Sequence, residues 1–242
     1  MRVAIVTGGS RGIGRALAEE LAKKGFKVGI VSRHPEGAVK SFQEMGLPAF
    51  PVAVDLEKDP PEKVVDLALA EGDIHALIHA AGINVRKPAL ELSYEEWRRV
   101  LYLHLDVAFL LAKAVAPHMA CVGWGRILFI GSVTTFTSGG PVPIPAYVSA
   151  KTGLLGLTRA LAKEWAPLGI RVNLLCPGYV QTDFTAPVWS NPDLYQAITS
   201  RIPVGRWASP GEIAKVGALL CTEDMDYVTG TTVVVDGGFL SY

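Results

Sequence analysis

Cysteine is scarce in the 242-residue chain: Cys121, Cys176 and Cys221 lie far apart, and none belongs to a C-x-x-C arrangement. Three scattered thiols argue against a disulfide framework and read as reduced, mostly packing residues of a protein expected to stay in the cytoplasm. Net charge is lacking as well. Twenty-three Lys and Arg balance 23 Asp and Glu, and no basic stripe runs along the chain, so nucleic acid and anionic membranes are poor partners. After Met1-Arg2, the apolar stretch Val3 to Val6 ends in glycines, too short for a signal-peptide core. The richest later stretch, Val100 to Ala116, is interrupted by His104, Asp106 and Lys113, which leaves no clean bilayer span. There is no H-E-x-x-H, Walker glycine loop or G-x-S-x-G elbow, so metalloprotease, phosphoryl-transfer and serine-hydrolase readings lack their key elements. His75 and His79 flank a strand-like run that separates them by about 13 Å, so no shared metal is expected.

What the chain does have is half hydrophobic residues and a steady alternation of strand and helix signals, without repeats or a linker. Strand candidates are Val3 to Val6, Val28 to Ser32, Phe50 to Val54, Ala76 to His79, Ile127 to Ile130, Val172 to Cys176 and Thr232 to Val235. Ser93-Tyr94-Glu95-Glu96 and Ser209-Pro210-Gly211-Glu212 read as capping boxes, the second with proline at the first helical position. Strands joined by crossover helices imply one α/β domain over residues 1–242, with a Rossmann-like, doubly wound, seven-stranded parallel sheet. A chain this long buries roughly 70% of its unfolded surface, enough for a large core.

The first strand runs into Thr7-Gly8-Gly9-Ser10-Arg11-Gly12-Ile13-Gly14, followed by the helix formers Ala16 to Ala22. In such a strand-turn-helix unit, glycines let the backbone approach a diphosphate, and the helix amides and dipole attract its charge. The spacing Gly8, Gly12, Gly14 departs from the literal G-x-G-x-x-G, and an ordinary strand-to-helix turn can also contain it.

Tyr147 and Lys151 stand four apart, the spacing that puts two side chains on one helix face, and Tyr147 comes fifteen residues after Ser132. A phenol titrates near pH 10 in water, and a neighbouring ammonium is expected to lower that value, which suits Tyr147 to acid–base work. Ser132 follows a buried strand, so its hydroxyl is expected at the carboxyl edge of the sheet, where open α/β sheets bind ligands.

On these motifs the chain resembles the short-chain dehydrogenase/reductase family of the compact single-domain type, from Val3 to the ending Val233-Val234-Val235-Asp236-Gly237-Gly238. The resemblance implies that Ser132 polarises a substrate carbonyl, Tyr147 exchanges the proton, and Lys151 lowers the tyrosine pKa while bonding the nicotinamide ribose. It implies cofactor contacts at Gly8, Ser10, Arg11, Gly12, Ile13 and Gly14, at Ser32 and Arg33, at Asp55 and Leu56 beside adenine, and at Ala81 and Gly82. Pro177, Gly178, Val180 and Thr182 complete the set, with Thr182 holding the carboxamide. A homotetramer is implied, joined through the helices Tyr94 to Met119 and Ala146 to Trp165.

Two residues depart from the family pattern. His79-Ala80-Ala81-Gly82 stands where the family has Asn-Asn-Ala-Gly, so the usual amide contacts are missing or replaced. His104 stands where the family has the Asn that supports a water in the proton relay. The reading is either an altered relay or a histidine satisfied inside a helix. A cofactor-binding sensor that has lost turnover is therefore a second functional class.

An NAD-specific site normally ends its second strand in Asp or Glu, whereas this chain has Ser32-Arg33. With Arg11, that favours NADP over NAD, the alternative being arginines stacked on adenine or lying in solvent. The segments 133–146 and 178–209 are expected to wall and cover the substrate site. The stretches Ile83 to Glu91 and Arg201 to Trp207 look most like the family branch of gluconate 5-dehydrogenase and the 2-deoxy- and 2-dehydro-3-deoxy-gluconate dehydrogenases, with 3-oxoacyl-[acyl-carrier-protein] reductase as the alternative. For a sugar acid, Arg86, Thr134, Gln181 and Trp189 are the candidate substrate contacts.

Overall fold

The computed structural model describes residues 1–241. Seven parallel strands form its centre: β1 (Arg2–Thr7), β2 (Lys27–Ser32), β3 (Ala49–Ala53), β4 (Asp73–His79), β5 (Gly125–Ile130), β6 (Ile170–Pro177) and β7 (Thr232–Val235). Their order is β3-β2-β1-β4-β5-β6-β7, so the chain winds outward from β1, returns to β4, and winds outward again. Ligands of open α/β sheets bind at that reversal, outside the strands' carboxyl ends. Thr7 and His79 close the two central strands there, in register.

The strands form from continuous apolar, β-branched runs because both faces are covered, as parallel sheets require. One face packs under α1 (Gly12–Lys23), α2 (Glu36–Glu44) and, later in the chain, a helix at Pro210–Leu219; Leu17, Leu21, Phe42 and Ile213 are fully buried there. The other face packs under α3 (Pro61–Leu69) and, beyond α4 (Tyr94–Leu101), which lies against α6, under α5 (Val107–Val122) and α6 (Pro145–Trp165), with Leu77, Leu111, Phe129 and Leu154 fully buried. Two short helices, α7 (Ala186–Trp189) and α8 (Pro192–Thr199), precede that helix at Pro210–Leu219, which is α9. A separate small core of Val133, Ile198, Ile202, Trp207 and Phe239 lies beneath them, away from the sheet.

Each expected strand is present, and most run one to three residues longer than their apolar signals. β4 begins at Asp73 because its amino-terminal rim is partly exposed and accepts polar residues, whereas Ile74 to His79 run inward. Both expected capping boxes are formed, Ser93 with Glu96 and Ser209 with Glu212. The expected helix from Tyr94 reaches Val122 and contains a π turn at Tyr102–Asp106, which carries His104. Its best window has a mean hydropathy of 1.6, long and apolar enough for a bilayer, but half of that window is buried inside the protein, where the sheet and neighbouring helices account for the apolarity.

Gly217 on α9 marks a close approach of that helix to α1 and the sheet. A Cβ there would meet Leu17 Cδ2 at 2.5 Å, Leu175 Cδ2 at 3.0 Å and Leu128 Cδ2 at 3.2 Å. Overpacking a core costs roughly 1–3 kcal/mol, whereas replacing a helix glycine by alanine gains at most about 1 kcal/mol in propensity. Gly217→Ala should therefore lower the free energy of unfolding by up to about 2 kcal/mol, measured by urea denaturation. A gain in stability would show that α1 and α9 approach less closely than described.

Candidate active site

A cleft of about 530 Å³ opens over the carboxyl ends of the central strands. Its floor begins at the glycine turn. Gly8 adopts φ +65°, and a Cβ there would press the Ala81 backbone at 3.0 Å; a Cβ on Gly14 would meet the Gly8 carbonyl oxygen at 2.3 Å. Only glycine allows the turn to fold this closely against β4. The helix that follows starts at Gly12 with no side chain capping its first amides. Those free donors and the helix dipole make an anion site in the cleft.

At the far end of β2, Ser32 Oγ is buried without a hydrogen-bond partner, and Arg33 and Arg11 line the cleft beside it. A dinucleotide fits these groups: its diphosphate at the uncapped helix, and its adenosine ribose at the unpartnered Ser32 hydroxyl and the two guanidinium groups. Asp55 and Leu56 line the same end.

At the other end stand Ser132, Tyr147 and Lys151. Ser132 leaves β5, and its hydroxyl oxygen accepts the Thr134 amide at 3.2 Å, so the hydroxyl hydrogen is free to donate elsewhere. The first turn of α6 presents Tyr147, and one turn later the Lys151 ammonium lies 5.4 Å from the phenol ring centroid and donates to the Ile130 carbonyl at 2.5 Å. Burial pushes Tyr147 up to about 12, against the opposing pull of Ser132 and of the Arg86 charge. Burial also brings Lys151 down to about 7. The expected lysine-lowered phenol is thus corrected: burial outweighs the pull of Ser132 and Arg86, and the Lys151 amine is itself driven towards its neutral form.

The two departures from the family pattern are both buried. His79 Nε2 lies 3.0 Å from the Leu103 carbonyl, so that nitrogen carries the proton; Nδ1 then accepts from Thr7 Oγ1 at 3.0 Å. Thr7 Oγ1 in turn accepts the amides of Ala80 and Ala81, each at 3.1 Å. The histidine therefore replaces the missing amide contacts, linking β1, β4 and the π turn. Burial, with the Lys151 charge, lowers His79 to about 4. His104 Nε2 is 2.7 Å from the Ile83 carbonyl and 3.2 Å from the Ile83 amide. The shorter contact puts the proton on Nε2 and leaves Nδ1 a buried acceptor without a partner. Burial first, then the Lys151 charge, holds His104 well below 6.5, and its ring stands edge-on to Tyr147 at 5.2 Å.

The cleft gathers every sequence-predicted catalytic residue, and every sequence-predicted cofactor residue except Gly178, which instead approaches Asp236. Arg86, Thr134, Gln181 and Trp189 do not line it. Arg86 donates to the Phe184 carbonyl at 2.8 Å and lies over that ring. Thr134 is buried, Gln181 is exposed, and the Trp189 indole donates to the Thr182 carbonyl. Sequence reasoning missed Thr7, whose place at the head of the glycine turn was a usable signal. It also missed Phe184, Glu57 and Arg99, which line the cleft without any motif to mark them.

Residues 8–240 match the profile of the family described as Enoyl-(Acyl carrier protein) reductase. A 3-oxoacyl-[acyl-carrier-protein] reductase of Aquifex aeolicus is 37% identical, over 98% of this chain and 96% of the relative. A tropinone reductase homolog of Arabidopsis thaliana is also 37% identical, over 98% and 92%. Among solved structures, the TT0495 protein of Thermus thermophilus is 68% identical with a TM-score of 0.96, covering 100% of this chain and 99% of that one. A gluconate 5-dehydrogenase of Burkholderia cenocepacia J2315, solved with NADP and tartrate, is 32% identical with a TM-score of 0.91, covering 100% and 96%.

His79 generates a pH prediction. Its folded value, about 4, lies below the ordinary 6.5, so the unfolded chain binds the extra proton. Its contribution is complete above about pH 6.5 and is lost as pH falls towards 4. Replacing it with the neutral Asn should flatten the fall in unfolding free energy across that window, relative to the parent, in urea titrations at a series of pH values. Parallel curves for parent and His79→Asn would exclude a neutral buried His79.

Proposed function

The chain belongs to the short-chain dehydrogenase/reductase family, and from that premise we propose that it interconverts a secondary alcohol and a ketone on a sugar acid of the gluconate type, with NADP. That it is an oxidoreductase of CH–OH groups using NAD(P) follows from the family and from NADP-bound relatives. The observation that carries the redox chemistry and the coenzyme choice is the convergence of Ser132, Tyr147 and Lys151 at one end of a cleft whose other end offers two arginines and a free hydroxyl.

When bound, the nicotinamide supplies or accepts the hydride. The protein's own part is proton and charge control. Ser132, with its oxygen already bonded to the Thr134 amide, donates its hydrogen to the carbonyl oxygen and stabilises charge that develops there. Tyr147, held protonated by burial, gives its proton to that oxygen during reduction and takes it back during oxidation. Lys151 is anchored to Ile130 and leaves its remaining hydrogens for the ribose and for proton exchange. His104, neutral and fixed to Ile83, offers Nδ1 as an acceptor for a relay water.

For the substrate, Arg86 supports the sugar-acid reading. Its guanidinium lies over the Phe184 ring, which lines the cleft and stands 5.9 Å from the Tyr147 ring, so a carboxylate near the phenol would meet a cation. The segments 133–146 and 178–209 wall and cover that space in this reading, within a single catalytic domain spanning 1–242. The protein works in the cytoplasm as a homotetramer. Support for the assembly comes from a shallow apolar groove along α5 and α6, lined by Leu105, Phe109, Leu157 and Ala160 beside Gly153 and Gly156, with Phe109 42% exposed.

Gluconate-type sugar acids should be turned over in a screen followed at 340 nm. Tyr147→Phe should lower kcat by about a hundredfold or more with NADPH binding retained, and Arg86→Ala should mainly raise KM. Brisk reduction of acetoacetyl thioesters without activity on any sugar acid would move the assignment to the acyl-carrier reductase alternative. Light scattering should return four times the mass of one chain, and Phe109→Asp should reduce it; a monomeric parent would remove the tetramer.

A further inference from the structure

The adenosine end of the cleft holds an acid as well as arginines. Glu57, two residues beyond Asp55, lines the cleft together with Arg33, and a carboxylate there is unwelcome beside a phosphate. It is not free. Arg99, reaching across from α4, grips it in a two-point contact, Nε to Oε1 at 2.5 Å and Nη2 to Oε2 at 3.0 Å. Glu57 also donates its backbone amide to Asp55 Oδ1 at 3.1 Å, so the same contact steadies the turn that carries the adenine-side residues. The Glu57 carboxyl sits below its usual range, through the Arg99 hydrogen bonds first and the Arg33 charge as well, which places it within reach of the positive field.

We propose that Arg99 is a specificity-determining residue that acts through Glu57, neutralising a carboxylate that would otherwise turn the cleft from NADP towards NAD. The inference rests on the NADP reading above. A phosphate monoester carries about −1.5 to −2 near neutral pH, so a bare carboxylate at this end repels NADP, while NAD has no charge there to repel. The exposed pair adds little to stability, so its removal tests recognition without unfolding the protein.

Fluorescence titration of the full protein with NADPH and NADH tests this without turnover. Arg99→Gln should weaken NADPH roughly fivefold at low salt, the weight of one partly screened charge, and leave NADH unchanged. Adding Glu57→Gln should restore NADPH binding, and salt should shrink the difference. Arg98→Gln, the same charge change one residue away, serves as control. The proposal is overturned if Arg99→Gln shifts the NADPH to NADH ratio no more than the control. It is also overturned if the double variant binds NADPH as weakly as Arg99→Gln alone, since Arg99 would then act on the phosphate itself. A parent protein that binds NADH more tightly than NADPH would instead sink the coenzyme reading on which the proposal stands.

Discussion

Everything at the active site hangs on one buried hydroxyl. Thr7 Oγ1 ends the first strand by accepting two amides from the segment after β4, and it passes its own hydrogen to His79, whose opposite nitrogen holds the Leu103 carbonyl. That chain crosses the point where the sheet reverses its winding, and it fixes three separate pieces of backbone with no slack. Each donor and acceptor in it is satisfied, which is the condition under which a buried polar network adds order rather than cost. The glycine turn, the Ala81-Gly82 wall and the π turn bearing His104 are set relative to one another through it.

Burial dominates the electrostatics around that frame. Tyr147, Lys151, His79 and His104 all move towards their neutral forms, because each is taken out of water, and for the two histidines the Lys151 charge pushes the same way. Spacing alone reveals the ammonium beside the phenol and hides the water that both have lost. The protonated phenol and the tuned amine suit a group that hands a proton to a carbonyl at neutral pH.

The sheet was legible in the sequence because its strands are buried on both faces and so read as unbroken apolar runs; even the two capping boxes formed as expected. The glycine turn and the Ser132, Tyr147, Lys151 set were legible because backbone approach and proton transfer admit few residue types. Arg86 was visible as a cation, but its partner Phe184 lies 98 positions away, and no local pattern marks such a pairing. Glu57 and Arg99 were hidden for the same reason, since an ion pair between a loop and a helix has no period. His79 was noticed as a departure, whereas its role needed the register that sets it opposite Thr7.

The small core beneath the cover segment is built from both sides of the molecule's last strand. Phe239, beyond β7, packs against Trp207 and Tyr179, and Asp236 caps the turn leading to it through the amides of Gly238 and Leu240. Residues 236–240 are therefore furniture of the cover. During divergence, changes in the cover and changes near residue 239 must be accepted together, so lineages that acquire new substrates through this segment will carry the record of it around Phe239.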